Sequence, residues 1–179
     1  MIKTILKITL TIIMATQTVI AQPNAKTPKY PLKEDVSTIN GIMKATYETV
    51  SGEAGAKRQW ERDLSLHDPN AIYCFPLENS EGKLQQTTMS IKDFHKETDS
   101  MVMKTAFYEN EINREVRVFG NIAHVWSTYE TRLEKNGPVM RRGINSVQLY
   151  YEEGRWWILS WTFDKERADR KIPQTFDPQ

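Results

Sequence analysis

The chain has 179 residues and carries 24 Lys and Arg against 23 Asp and Glu. That balance gives no whole-chain field to attract nucleic acid or an anionic membrane. Five Trp, seven Tyr and six Phe, concentrated in the C-terminal half, exclude a disordered chain and predict one domain with an aromatic core.

Residues 1–21 place Lys3 and Lys7 before an apolar run and end on Val19-Ile20-Ala21, the pattern of a signal peptide cleaved before Gln22. The run is shorter than the roughly 20 apolar residues of a membrane span. The expectation is a periplasmic or secreted protein with no membrane attachment after cleavage; a retained N-terminal anchor is the alternative. Residues 22–35 hold three prolines and no apolar period, which predicts a flexible leader. The folded domain is expected over 36–167, with a C-terminal tail at 168–179.

From Ser37, apolar residues recur at helical spacing through Ile39, Ile42, Met43, Tyr47 and Val50 until Ser51-Gly52. A second helix is predicted over Lys57 to His67, ended by Asp68-Pro69. Ala71 to Pro76 and Lys83 to Met89 read as strands. Cys74, with no second cysteine to pair, reads as a small buried hydrophobe in the first. Ser90 followed by Asp93 resembles a capping box and opens a third helix carrying Ile91, Phe94, His95 and Val102. Thr105 to Phe119 is extended, and three turn signals follow: Gly120-Asn121, Asn136-Gly137 and Glu153-Gly154. Read as two-residue loops, they make an antiparallel meander of four strands. The class is α+β, helices packed on a curved sheet.

Those loop lengths assign the strand faces. The helix-facing side collects Val116, Val118, Ala123, Val125, Ser127, Tyr129, Ile144, Ser146, Gln148, Trp157, Leu159, Trp161 and Phe163. The other side keeps Trp126, Leu149, Trp156 and Ile158. That is too much apolar surface for a wet face, and it predicts a homodimer.

Trp60-Glu-Arg, Leu66-His-Asp-Pro-Asn-Ala71, Ile91-Lys-Asp-Phe94, Gly120-Asn-Ile-Ala123 and Gly154-Arg-Trp-Trp-Ile158 occur in an order and spacing that resembles the nuclear transport factor 2-like superfamily, on its SnoaL-like bacterial side. The resemblance spans about residues 37–165. It implies a cone-shaped barrel of curved antiparallel sheet with three helices on the concave face and a deep pocket between. It does not choose among isomerases, dehydratases, cyclases and binding domains. In the ketosteroid isomerase branch an Asp base precedes the proline of the first strand, where this chain has Phe75 before Pro76. By the same counts Ser146 stands where that branch has its second acid, and His67 and His95 where it has supporting tyrosines. Tyr47 lies near its oxyanion-hole tyrosine without coinciding with it by ungapped count.

The pocket is therefore expected between Tyr47, Trp60, Tyr73, Phe75, Phe94, Val125, Ser127, Gln148 and Trp161, with His67, His95, Tyr129 and Ser146 as the catalytic candidates. Two imidazoles suit acid and base roles near neutral pH. The bland alternative is that these polar groups satisfy one another and a buried water. No HxH, HxxxH or carboxylate cluster accompanies the histidines, so no metal and no cofactor is expected. Arg141-Arg142 is either a solvated strand-end pair or a rim clamp for an anion. The functional expectation is binding of a small, largely apolar molecule, with lyase or isomerase chemistry, or else a non-catalytic ligand-binding or protein-interaction domain.

Overall fold

A computed structural model describes residues 29–178. The predicted signal peptide and residues 22–28 of the leader lie outside the described residues. The elements run α1 (Lys33–Val36), α2 (Ile39–Val50), α3 (Trp60–Leu66), β1 (His67–Glu78), β2 (Leu84–Ser90), α4 (Ile91–Lys104), β3 (Tyr108–Phe119), β4 (Ile122–Arg132), β5 (Arg141–Glu152) and β6 (Arg155–Lys165). Local signals explain several boundaries. The Thr38 hydroxyl accepts from Gly41 N at 2.9 Å to start α2, and Ser90 accepts from Asp93 N at 3.2 Å to start α4.

The last residue assigned to the leader is packed. Asp35 is 3% exposed, as is its neighbour Val36 at 6%, and both Asp35 carboxylate oxygens accept from Arg62 at 2.7 Å. The second helix is shorter than its periodicity suggested. His67 already belongs to β1, because the chain must turn there to bring Ala71, Tyr73 and Phe75 onto the core side.

The six strands form one curved, unclosed sheet in the order β2-β1-β6-β5-β4-β3. The predicted meander β3 to β6 is present and antiparallel. The sheet as a whole is mixed, since β1 runs parallel to β6 with Tyr73 beside Trp161. The helices cover the concave face, where Ile42, Met43, Leu66, Val125, Val147, Ile158 and Trp161 form the core.

Three local features correct the predicted faces. Gly120-Asn121 and Glu153-Gly154 are two-residue turns, the latter with both residues at positive φ, 50° and 79°. The third connection occupies residues 133–140 and pairs Ser127 with Asn145, one residue away from the pairing with Ser146 that a two-residue loop at Asn136-Gly137 would impose. A one-residue slip turns every side chain over. Asn145, Val147 and Leu149 therefore face the core, while Ile144, Ser146 and Gln148 face out.

In β6 the register shifts at Leu159, an extra residue between the pairs Leu149–Ile158 and Gln148–Ser160. Trp156 and Ile158 consequently join the core side with Trp161 and Phe163, and Trp157 and Leu159 do not. In β3 an extra residue at Ile112 does the same, placing Glu109 and Glu111 opposite the inward Thr131 and Tyr129. Cys74 points to the outer side, half-buried, with the Gln86 amide donating to its sulfur at 2.8 Å.

Candidate functional site

A cavity of 640 Å³ opens between α2, α3, α4 and the concave sheet face. Aromatic rings from several elements line it: Trp60 from α3, Tyr73 and Phe75 from β1, Phe94 from α4, Phe107 before β3, and Trp161 and Phe163 from β6. Tyr73 stacks on Phe94 at 4.7 Å and on Trp161 at 6.0 Å, and Phe75 on Phe163 at 4.8 Å, which makes the wall one continuous aromatic layer. Size and lining are those of a small-molecule site.

Polar groups enter from the other side. Glu109, Tyr129, Arg141 and Asn145 line the cavity from β3, β4 and β5, and Tyr47 lines it from α2. The Glu109 carboxylate accepts from the Thr131 hydroxyl at 3.0 Å and lies 4.0 Å from the Arg141 guanidinium, itself 5.6 Å above the Phe107 ring. Burial, only partly offset by Arg141 and Thr131, raises the Glu109 carboxyl from its ordinary 4.5 to about 7. Asn145 Nδ2 donates to the Tyr47 hydroxyl at 2.9 Å, Tyr47 pairs with the Ser127 hydroxyl at 2.6 Å, and Ser127 donates to Glu111, which Arg114 neutralises. Burial pushes the Tyr47 phenol far above its usual value.

The two histidines stand behind the aromatic wall. His67 is 3% and His95 6% exposed, and neither lines the cavity. His67 Nδ1 meets the Asp63 carbonyl at 2.7 Å, so that nitrogen carries the proton; Nε2, 3.0 Å from the Tyr73 hydroxyl, then accepts from it. Burial lowers this imidazole below its usual pKa against the pull of Asp63, which keeps it neutral. His95 Nε2 bonds Asp63 Oδ2 at 2.7 Å, the Thr49 hydroxyl donates to Asp63 Oδ1 at 2.9 Å, and Trp60 stacks on His95 at 4.2 Å. Burial alone would raise the Asp63 carboxyl; the histidines and Thr49 outweigh it and hold it below the ordinary range.

Of the residues singled out from sequence, Tyr47, Trp60, Tyr73, Phe75, Phe94, Tyr129 and Trp161 meet at the cavity. Val125 and Ser127 are buried in the layer beneath it, each at 0% exposure. Ser146 lies on the opposite face, bonded to His124 at 2.9 Å, and Gln148 is exposed there beside Ser160. Glu109, Asn145 and Asp63 were not legible as site residues, because two are strand positions whose side depends on a bulge or a register and the third is one of two acids in a short helix. Among the described residues no group of three His, Cys, Asp or Glu comes together to hold a metal ion.

No family model and no curated protein matches the chain. Solved structures do match. A protein of unknown function with a cystatin-like fold from Nostoc punctiforme aligns at TM-score 0.56 with 10% identity over 73% of this chain and 90% of that one. The yeast UBP3-associated protein BRE5 aligns at 0.52 with 10% identity over 71% and 92%. An NTF2-like protein of unknown function from Methylobacillus flagellatus scores 0.49 at 18% identity over 72% and 92%. The curved, unclosed mixed sheet with helices on its concave face is consistent with the NTF2-like cone fold. At these identities the likeness concerns the fold alone, and any function of an NTF2-like chain has to come from its own side chains.

Proposed function

We propose that this NTF2-like domain binds a small, largely apolar molecule in the cavity between its helices and the concave sheet face, and that it does so as an exported protein. The observation that carries the reading is the continuous aromatic wall of Tyr73, Phe75, Phe94, Trp161 and Phe163 around 640 Å³. A cavity of this volume and lining releases bound water at little cost and gains from apolar burial at about 25 cal/mol per Å². Export rests on Lys3, Lys7 and the run ending at Ala21.

Binding without turnover is the reading that the geometry favours over lyase or isomerase chemistry through His67 and His95. Each has a ring nitrogen engaged by Asp63, and His67 reaches the cavity only through Tyr73, whose hydroxyl already donates a hydrogen bond to it. Of the four catalytic candidates, Tyr129 alone touches the cavity. Gently extracted protein, analysed by native and denaturing mass spectrometry, should release a molecule smaller than the cavity. Intrinsic fluorescence should also change when it rebinds, since Trp60 and Trp161 line the site. Recovery of empty protein whose tryptophans ignore every apolar probe would refute the reading.

A homodimer through the outer sheet face belongs to the same proposal, on narrower support than the sequence suggested. Leu149 and Ile158 are core, and the exposed apolar groups on that face include Trp126 at 36%, Leu159 at 42%, Ile72 at 48% and Ile122 at 61%. Sedimentation at micromolar concentration decides it.

A further inference from the structure

The polar side of the cavity has a specific complementarity. Glu109 sits on β3 opposite Thr131, and Tyr129 lies two residues along β4 on the same inward face. One oxygen of Glu109, Oε2, is engaged by Thr131 and faced by Arg141. Among the described residues Oε1 has no hydrogen-bond partner, and neither has the Tyr129 hydroxyl; neither atom is shut away from the cavity. The side chain of Glu109 retains 14% of its accessibility, and Tyr129 is 2% exposed. An acceptor and a donor with no partner in the protein thus face the same cavity from the paired strands β3 and β4.

The ligand group that satisfies both at once is a hydroxyl, which donates with its proton and accepts with its lone pairs. A carbonyl or ether oxygen would serve Tyr129 and leave Glu109 unfilled. A carboxylate would meet the charge of Glu109 in a poorly solvated place, and an ammonium would meet Arg141. We propose that Glu109 and Tyr129 form a hydroxyl seat, and that the molecule bound here is an apolar alcohol or phenol, its O–H donating to Glu109 Oε1 and its oxygen accepting from the Tyr129 hydroxyl. This rests on the cavity being a ligand site, and the experiment separates the two claims.

Quenching of tryptophan fluorescence in the full chain is titrated at pH 8, above the Glu109 value of about 7, with three probes of one size: 2-naphthol, 2-methoxynaphthalene and 2-naphthoate. The seat requires that 2-naphthol bind at least about tenfold tighter than its methyl ether, with the naphthoate weakest. Glu109→Gln should remove most of the advantage of the naphthol over the ether, because the Gln carbonyl is taken by Thr131, whereas Tyr129→Phe should weaken naphthol and ether alike and leave the advantage in place. Equal binding of naphthol and ether by the natural protein, or preference for the naphthoate, overturns the seat and leaves the cavity as an apolar site. Binding of none of the three overturns both. The probe comparison on the unsubstituted chain holds whether or not either variant folds.

Discussion

The Tyr129 hydroxyl occupies the space that a Cβ on Gly143 would need. A methyl group built there falls 2.5 Å from the phenol oxygen and 2.3 Å from the Asp164 carbonyl on β6. Residue 143 lies directly opposite Tyr129 across the β4–β5 pair, so the glycine lets the ring lie flat over β5 with its hydroxyl at the cavity.

Gly143→Ala should therefore cost about 2–4 kcal/mol, the upper range for overpacking, because one of the two clashes is with backbone. Urea denaturation measures it. The double variant carrying Tyr129→Phe as well should regain little, since the Asp164 carbonyl still blocks the methyl; full rescue would show that the phenol was the only obstacle.

Asp63 holds α2, α3 and α4 together through Thr49 and His95, and its own carbonyl positions His67. Asp63→Asn should destabilise the domain by about 3–5 kcal/mol, the cost of breaking a buried charged network by removing one member. His95→Ala should cost a similar amount and also release the Trp60 ring that stacks on it. Thermal unfolding tests both. If His95→Ala melts as the natural chain does, the network is not structural, and the imidazole has to be reconsidered as a functional group.

Glu109 makes a pH prediction with a definite sign. Its folded value of about 7 stands above the ordinary 4.5, so the folded state binds more protons between those values. The stability of the natural chain therefore loses a contribution as pH rises from 4.5 to 7, approaching about 3 kcal/mol at most above 7. The groups facing it are Arg141 from β5, Tyr129 and Thr131 from β4, Tyr47 from α2 and Tyr73 from β1; the three raised phenols keep their protons across that window. Buried His67 works in the opposite sense, losing stability as pH falls below 6.5, but it is common to both proteins. The stability of Glu109→Gln relative to the natural chain should accordingly rise from pH 4.5 to pH 8. A difference that stays flat would mean that Glu109 titrates normally.

The segment after β6 folds back over the outer sheet face. Phe176 stacks on Trp126 at 5.2 Å, its carbonyl accepts from the Thr128 hydroxyl at 2.6 Å, and Asp177 pairs with Arg142. Truncation after residue 167 should bare Trp126, shift its emission to longer wavelength, and increase self-association if the outer face is the dimer surface. Phe176→Ala should give the emission shift with a smaller change in sedimentation. Unchanged emission in the truncated chain would mean that the strap does not cover Trp126 in solution.

Much of the architecture was written locally. The helical spacing of Ile39 to Val50, the Ser90 cap, the turn at Glu153-Gly154 and the β-rich runs of the meander each follow from interactions within a few residues, and so the order of elements was readable. The aromatic wall was readable too, since Trp60, Tyr73, Phe75, Phe94 and Trp161 are residues that a core or a pocket must absorb. The polar half of the site was decided by tertiary structure. A strand has a period of two, so a single extra residue at Ile112 or Leu159, or one residue of register between β4 and β5, exchanges inside for outside without altering the hydrophobic pattern by more than one position. Whether that residue is accommodated depends on pairing with a strand distant in sequence. Those choices carried Glu109 and Asn145 to the cavity and sent Ser146 and Gln148 to the opposite face, while contacts with Asp63, Trp60 and Tyr73 enclosed His67 and His95 behind the wall they were expected to line.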